Sequence, residues 1–200
     1  SHVSGSVPAG LASTLVASAA ASDESSVTVA LLSHNGGPHV TSYLDGLAAT
    51  KAVGRVLLVV PDGAWVDEAT NRLGSKLVAV YTGVDQMFAA EVPAMALVAY
   101  EAVLAPPIVA KLLRGGCPVL DEKPSSVSSV DIRKLAAIAD SESKLLMLAL
   151  ANRLLPEAVE AKRLIEAGAI GKIFGVEAHM VADQTRLTRP GYGERWEASK

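Results

Sequence analysis

Aromatic residues make up only 4% of the 200 residues, and there is one cysteine, Cys117. The first scarcity argues against an aromatic-rich binding module. The second excludes an intrachain disulfide and leans towards a reducing, cytoplasmic setting. No basic run interrupts a net charge of −3, so a nucleic-acid footprint is not expected. No uninterrupted apolar stretch reaches the roughly 18 residues of a membrane helix. The nearest approach, Met95 to Leu113, contains Glu101, Lys111 and two prolines. The four histidines and the cysteine show no zinc-ligand spacing, and there is neither a G-x-S-x-G elbow nor a Walker-type loop.

What is present is a chain that is half apolar and rich in Ala, Val and Leu, a composition suited to sheets covered by small-residue helices. Residues 1–26, rich in Ser, Ala and Gly, read as an arm or as the remnant of a targeting segment. From Val27 strands and helices alternate. Strands are expected at Val27–Leu32, Arg55–Val60, Leu77–Val80, Met95–Tyr100 and Pro118–Leu120. Helices are expected at Tyr43–Ala52, Trp65–Leu73, Val84–Ala90 and Pro106–Arg114. Such alternation predicts an α/β fold, a doubly wound parallel sheet.

Beyond Pro124 a helix with a Ser128 or Ser129 cap carries Ile132, Leu135, Ala136 and Ala139 on one face. Lys144–Leu150 reads as a sixth strand, and a helix follows with Pro156 at its start and Gly168 past its end. From Phe174 the period changes to two, the signature of a strand with one buried face. That pattern predicts a second, α+β open-sheet unit, begun within residues 125–200 and associating through its sheet into a homo-oligomer, with 27–124 as the first unit.

The apolar run Val119-Leu120 ends abruptly in Asp121-Glu122-Lys123-Pro124. Proline pushes the residue before it out of the helical region, so charged side chains are fixed where a strand surfaces. Ligands bind at the carboxyl ends of parallel strands. On the residues alone, the favoured reading of Lys123 is an ordinary surface cation paired with Asp121 or Glu122.

The order of elements, together with Glu122-Lys123-Pro124, Asn152-Arg153 with Pro156 behind it, Tyr81 to Met87, and the run Leu164 to Ile173, resembles the glucose-fructose oxidoreductase and inositol dehydrogenase (Gfo/Idh/MocA) family. The likeness spans about residues 27 to 183. It implies a Rossmann-type domain that binds NAD or NADP, hydride transfer on a sugar or polyol-like small molecule, and Lys123 at the junction of nicotinamide and substrate, with a peptide bond to Pro124 that is open to the cis form. It also implies cofactor contacts from Ser33, Asn35, Gly36, Asp62, Tyr100, Glu122 and Pro124, and an interdomain cleft lined by Asn152 and Arg153. Asp62 ends the second strand, where an acid that binds a ribose hydroxyl favours NAD over NADP, while Pro61 and Gly63 beside it fit a simple turn aspartate equally well.

Three departures stand against it. The G-x-G-x-x-G positions after the first strand hold Ser33, Asn35 and Pro38, and Pro38 is expected to remove an N–H from the start of the next helix. The family's Thr-Pro pair after the fourth strand is replaced by Tyr100-Glu101, which places a carboxylate near the dinucleotide. None of His2, His34, His39 or His179 sits in a catalytic motif. An oxidoreductase and a catalytically silent Rossmann-type scaffold are therefore both open on the sequence.

Overall fold

Among the residues described by the computed structural model, 26–179 and 181, strand and helix alternate throughout the main body of the chain. The elements are β1 (Val27–Leu32), α1 (Val40–Ala49), β2 (Val53–Val59), α2 (Val66–Leu73), β3 (Leu77–Tyr81), α3 (Val84–Ala90), β4 (Met95–Val98), α4 (Ala105–Arg114), β5 (Val119–Asp121), α5 (Ser129–Ser141), β6 (Leu146–Leu148) and α6 (Pro156–Glu166). The strands form one sheet in the order β3-β2-β1-β4-β5-β6, and every neighbouring pair is parallel. This is the predicted doubly wound, Rossmann-type architecture.

Alternation along the strands sorts the core onto two faces. Val29 and Leu31 of β1, with Val56 and Leu58 of β2, pack against Val40, Leu44 and Leu47 of α1 and Ala69 and Leu73 of α2. Ala30 and Leu32, with Leu57 and Val59, face the other way, towards Met87 of α3, Val109, Leu112 and Leu113 of α4, and Leu135 of α5. Central strands buried on both faces must be apolar there, and β1 is from Val29 to Leu32. Leu31 lies opposite Leu58 on one side and Leu97 on the other.

The helix ends follow from local chemistry. Ser128 caps α5, its hydroxyl accepting from the Asp131 N–H at 3.4 Å. Prolines occupy the first turns of α4 and α6, where their missing N–H costs nothing. Gly168, just past α6, has φ 70°, the left-handed value that glycine adopts freely.

Several boundaries differ from expectation. Helix α1 begins at Val40 rather than Tyr43, because His39 at φ 55° breaks the loop before it. Pro38 therefore precedes the N-cap and takes no N–H from the helix start, which corrects the cost expected of it. Strand β6 bonds to β5, from Val119↔Leu146 to Asp121↔Leu148, so the first sheet continues past residue 124 to Leu148. Residues 174–179 of the expected half-buried strand are not assigned to a strand, and Phe174 and Val176 are exposed. A strand exists only through a partner ladder, and no strand among the described residues pairs with this one. Met180, Ala182, Asp183 and the segment 184–200 lie outside the described residues, as does the arm 1–25.

Candidate active site

The chain passes from β3 at one edge to β4 beside β1, so strand order reverses between β1 and β4. A crevice opens at the carboxyl ends of strands at such a switch point. Two connections flank it, residues 33–39 after β1 and 99–104 after β4, with the β2 turn at Asp62 and the β5 turn at 121–125 on either side.

The loop after β1 is braced by residues that sequence reasoning assigned to the cofactor. Ser33 is fully buried, and its hydroxyl donates to the Ala99 carbonyl at 3.1 Å. The Tyr100 hydroxyl donates to the Ser33 carbonyl at 2.8 Å. Burial, with the Asp62 and Glu101 carboxylates nearby, pushes the Tyr100 phenol up to about 12. Both polar side chains are thus occupied within the fold. Gly37 is the glycine that close packing requires here. A Cβ there would lie 2.0 Å from Ser33 Oγ and 2.7 Å from the Ala99 carbonyl oxygen.

The loop amides have internal acceptors. Asn35 N–H donates to Asp62 Oδ2 at 2.8 Å, Gly36 N–H to His34 Nδ1 at 3.2 Å, and Gly37 N–H to the His34 carbonyl at 2.9 Å. Asp62 Oδ1 also accepts from Ala64 N–H at 3.1 Å. Those backbone donors hold the exposed Asp62 carboxyl below its ordinary range. The Trp65 indole reaches across to the His34 carbonyl at 2.7 Å. Glu101, expected to repel a dinucleotide, meets His34 Nε2 at 2.5 Å, and the His34 ring lies 4.8 Å from the Tyr100 ring. A histidine bridging that carboxylate was not foreseen; its signal was a His directly after a strand with an acid after the neighbouring one.

At the end of β5 the three ionisable residues part company. Asp121 is fully buried; one carboxylate oxygen bonds to the Ser125 hydroxyl, and Oδ1 has no partner. Burial pushes its carboxyl up to about 7, against the opposing pull of Ser125. Glu122 is 2% exposed, and its Oε2 accepts from the Tyr43 hydroxyl and lies 3.2 Å from His39 Nδ1. Burial first, then that bond, raises the Tyr43 phenol far above its usual value. Lys123 is exposed and has no hydrogen bond or ion pair among the described residues, so the surface pairing with Asp121 or Glu122 does not form. The Lys123–Pro124 peptide is cis. Asn152 and Arg153 lie in an exposed 3-10 turn after β6, at the same end of the sheet; Arg153 Nη2 contacts Met147 Sδ at 3.4 Å.

The sequence missed Tyr43 and His39, although their spacing of four puts both on one side of the α1 start. Among the described residues no group of three or more His, Cys, Asp or Glu could hold a metal, and no helix is long and apolar enough to cross a membrane.

The parallel sheet with its strand order reversed between β1 and β4, with an acid closing β2, defines a Rossmann-type domain. Residues 58–150 match the model of the Gfo/Idh/MocA oxidoreductase family with an NAD-binding Rossmann fold. The chain is 29% identical over 126 residues to the uncharacterized oxidoreductase C115.03 of Schizosaccharomyces pombe, which covers 63% of this chain and 34% of that protein. Its fold is similar to scyllo-inositol dehydrogenase of Lactobacillus casei with bound NAD(H) and scyllo-inositol (TM-score 0.65, 17% identity, 74% of this chain and 43% of that one). It is likewise similar to GenD2 from gentamicin A biosynthesis in complex with NAD (TM-score 0.63, 25% identity, 82% and 43%). The chain thus spans about a third of the curated relative and under half of these solved structures.

The donors and acceptors at the crevice fit a nicotinamide dinucleotide. Asp62 offers an acceptor at the end of β2, and Lys123 a free donor at the end of β5. Asn35 N–H is exposed, so its bond to Asp62 can be exchanged for one to a phosphate oxygen.

Proposed function

We propose that this chain carries the cofactor-binding part of an NAD(P)-dependent oxidoreductase acting on a hydroxyl group of a sugar or polyol-like substrate. The observation that carries this reading is the unpaired Lys123 amine at the switch-point end of the sheet, with both preceding carboxylates bound elsewhere. The bound cofactor would supply the hydride acceptor. Lys123 would hydrogen-bond the substrate hydroxyl and stabilise the charge that develops on its oxygen as the C–H bond breaks. Asp62 would accept from a ribose hydroxyl and repel a 2′-phosphate. Asn35 and Gly36 would lie along the phosphates through their backbone, and Pro124 would shape the turn that presents Lys123. Ser33, Tyr100 and Glu122 would contribute by bracing these groups. Asn152 and Arg153 would face substrate from the far side of β6.

A second unit, proposed to begin in residues 149–200, would complete the substrate site and carry association into a homo-oligomer. The support is that α6 buries none of its residues and that Leu154, Phe174 and Val176 are exposed. A cytoplasmic location completes the proposal, in keeping with the free, buried Cys117.

The test is calorimetric titration with NAD and NADP, followed by turnover on a panel of inositols and sugars. Binding in the micromolar range, with a turnover loss of about 10²-fold or more in Lys123→Met at unchanged cofactor affinity, supports the proposal. No binding at millimolar cofactor overturns it in favour of a silent scaffold.

A further inference from the structure

We propose that Tyr43 and Ser125 are positioning residues for Lys123, holding the two carboxylates that precede it turned away from its amine. This rests on the reading that Lys123 meets the substrate hydroxyl. Strand alternation turns successive side chains to opposite faces, but that rule ends with β5 at Asp121, and in the turn beyond it a flexible ammonium group can reach the carboxylate beside it. Paired in that way, the lysine would have donors committed to a neighbour before any substrate arrived.

The fold prevents it from two directions. Asp121 points into the sheet end and is bonded by Ser125 four residues on. Ser125 is placed for this by its own left-handed φ of 69° and by its N–H to the Glu122 carbonyl at 2.9 Å. Glu122 points towards α1, where the Tyr43 hydroxyl and His39 Nδ1 take the same carboxylate oxygen. A buried carboxylate needs such partners, since an unpaired one is costly to bury. This explains why α1, whose inward face is Val40, Leu44 and Leu47, also carries a half-buried tyrosine. The groups facing the turn are His39 from the end of the loop after β1, Tyr43 from α1, and Asp121, Glu122 and Ser125 from the turn itself. Because His39 ends the loop after β1, the lysine turn is also tied to the segment proposed to meet the phosphates.

The experiment reads Lys123 directly, by competitive acetylation of the full chain across pH with mass-spectrometric quantification of the Lys123 peptide. In Tyr43→Phe the Glu122 carboxylate keeps only the exposed His39 as partner and can turn towards the ammonium, an interaction that favours the charged form. The labelling midpoint should rise by about half a unit to one unit, and labelling at pH 8 should slow about three- to tenfold. Adding Glu122→Gln in the same chain should restore the original curve. An unchanged midpoint in a Tyr43→Phe protein with native circular dichroism overturns the proposal. So does a shift that survives Glu122→Gln. If Tyr43→Phe does not fold, Glu122→Gln alone decides: its curve should match the unmodified protein, and a fall in midpoint would show that Glu122 already acts on Lys123. Labelling needs neither cofactor nor substrate, so its outcome stands apart from the cofactor titration.

Discussion

The backbone N–H of Asn35 donates to Asp62 Oδ2 at 2.8 Å, joining the loop after β1 to the turn after β2 through a single carboxylate. On the proposed function, a phosphate arriving at this loop would compete with Asp62 for that amide, while a ribose hydroxyl would recruit the same carboxylate. A fixed negative charge there opposes the 2′-phosphate of NADP. NAD should therefore bind at least about tenfold more tightly than NADP, a difference of about 1.4 kcal/mol, and Asp62→Ala should narrow the ratio towards one. Titration of both cofactors against both proteins checks this. Equal preference in the unmodified protein would rule out the assignment of Asp62.

The same contact has an acid limit. Asp62 is held below its usual value of 3.8 by the two backbone donors, so its contribution is present above that pH and lost as pH falls through the lower folded value. The Asn35 amide resonance, followed by NMR, should stay constant from neutral pH down to about 3.8 and move only below it. A midpoint near 5 would show that the carboxylate is not held in this way.

Asp121 behaves oppositely. Its carboxyl is pushed up from 3.8 to about 7 by burial, so the folded protein keeps a proton that the unfolded chain has released. Stability contributed by the protonated group is complete below pH 3.8 and is lost as pH rises to about 7. The decline should total about 4 kcal/mol, with no further loss from this group at higher pH. In Asp121→Asn the slope between pH 4 and 7 should flatten, whatever the absolute stability of the variant. Urea unfolding at several pH values measures it, and an unchanged slope would mean that the carboxyl is ionised in the fold throughout.

How much was legible in advance follows from the range of the interactions. The sheet was readable because β1, β2 and β4 are short apolar runs between turn residues, and burial on both faces leaves no other option. The end of β5 was readable as a place, because Asp121 to Pro124 is an abrupt break in a buried run. The partners of those charges were not. Tyr43 lies 79 positions from Glu122, and His34 lies 67 from Glu101. Such pairings are set by which strands become neighbours across the switch point, and local pattern carries no information about that. The same limit explains Ser33 and Tyr100, read as cofactor contacts but turned into the fold, where one bonds to Ala99 and the other to Ser33 itself.

Gly37 supplies a test of the rewritten loop. Its absent Cβ leaves room for Ser33 Oγ and the Ala99 carbonyl, at 2.0 and 2.7 Å from where a methyl would stand. The backbone oxygen cannot swing aside, so Gly37→Ala should destabilise by about 2 kcal/mol as α1 is forced away from β1. Gly36→Ala meets His34 Cε1 at 3.0 Å and Glu101 Oε1 at 3.1 Å, both side-chain atoms able to yield, and should cost less. Thermal unfolding of the two variants side by side gives the order, and a reversed order would contradict the loop geometry.

Lys76 offers the last test, at the opposite end of α1 from Tyr43. That helix has no basic residue in its last turn, yet its terminal carbonyls require donors. Lys76, in the 3-10 turn after α2, provides them: its ammonium donates to the carbonyls of Leu47 at 3.1 Å, Ala48 at 2.7 Å and Thr50 at 2.9 Å. Lys76→Met keeps most of the stem and removes the charge-assisted bonds, which should cost about 2 kcal/mol in urea unfolding. The carbonyl end lies at the amino edge of the sheet, away from the crevice, so NAD affinity should change by less than about twofold, within 0.4 kcal/mol. A larger loss of affinity would show that the placement of α1 as a whole, and not only its first turn, sets the geometry of Glu122 and the lysine beside it.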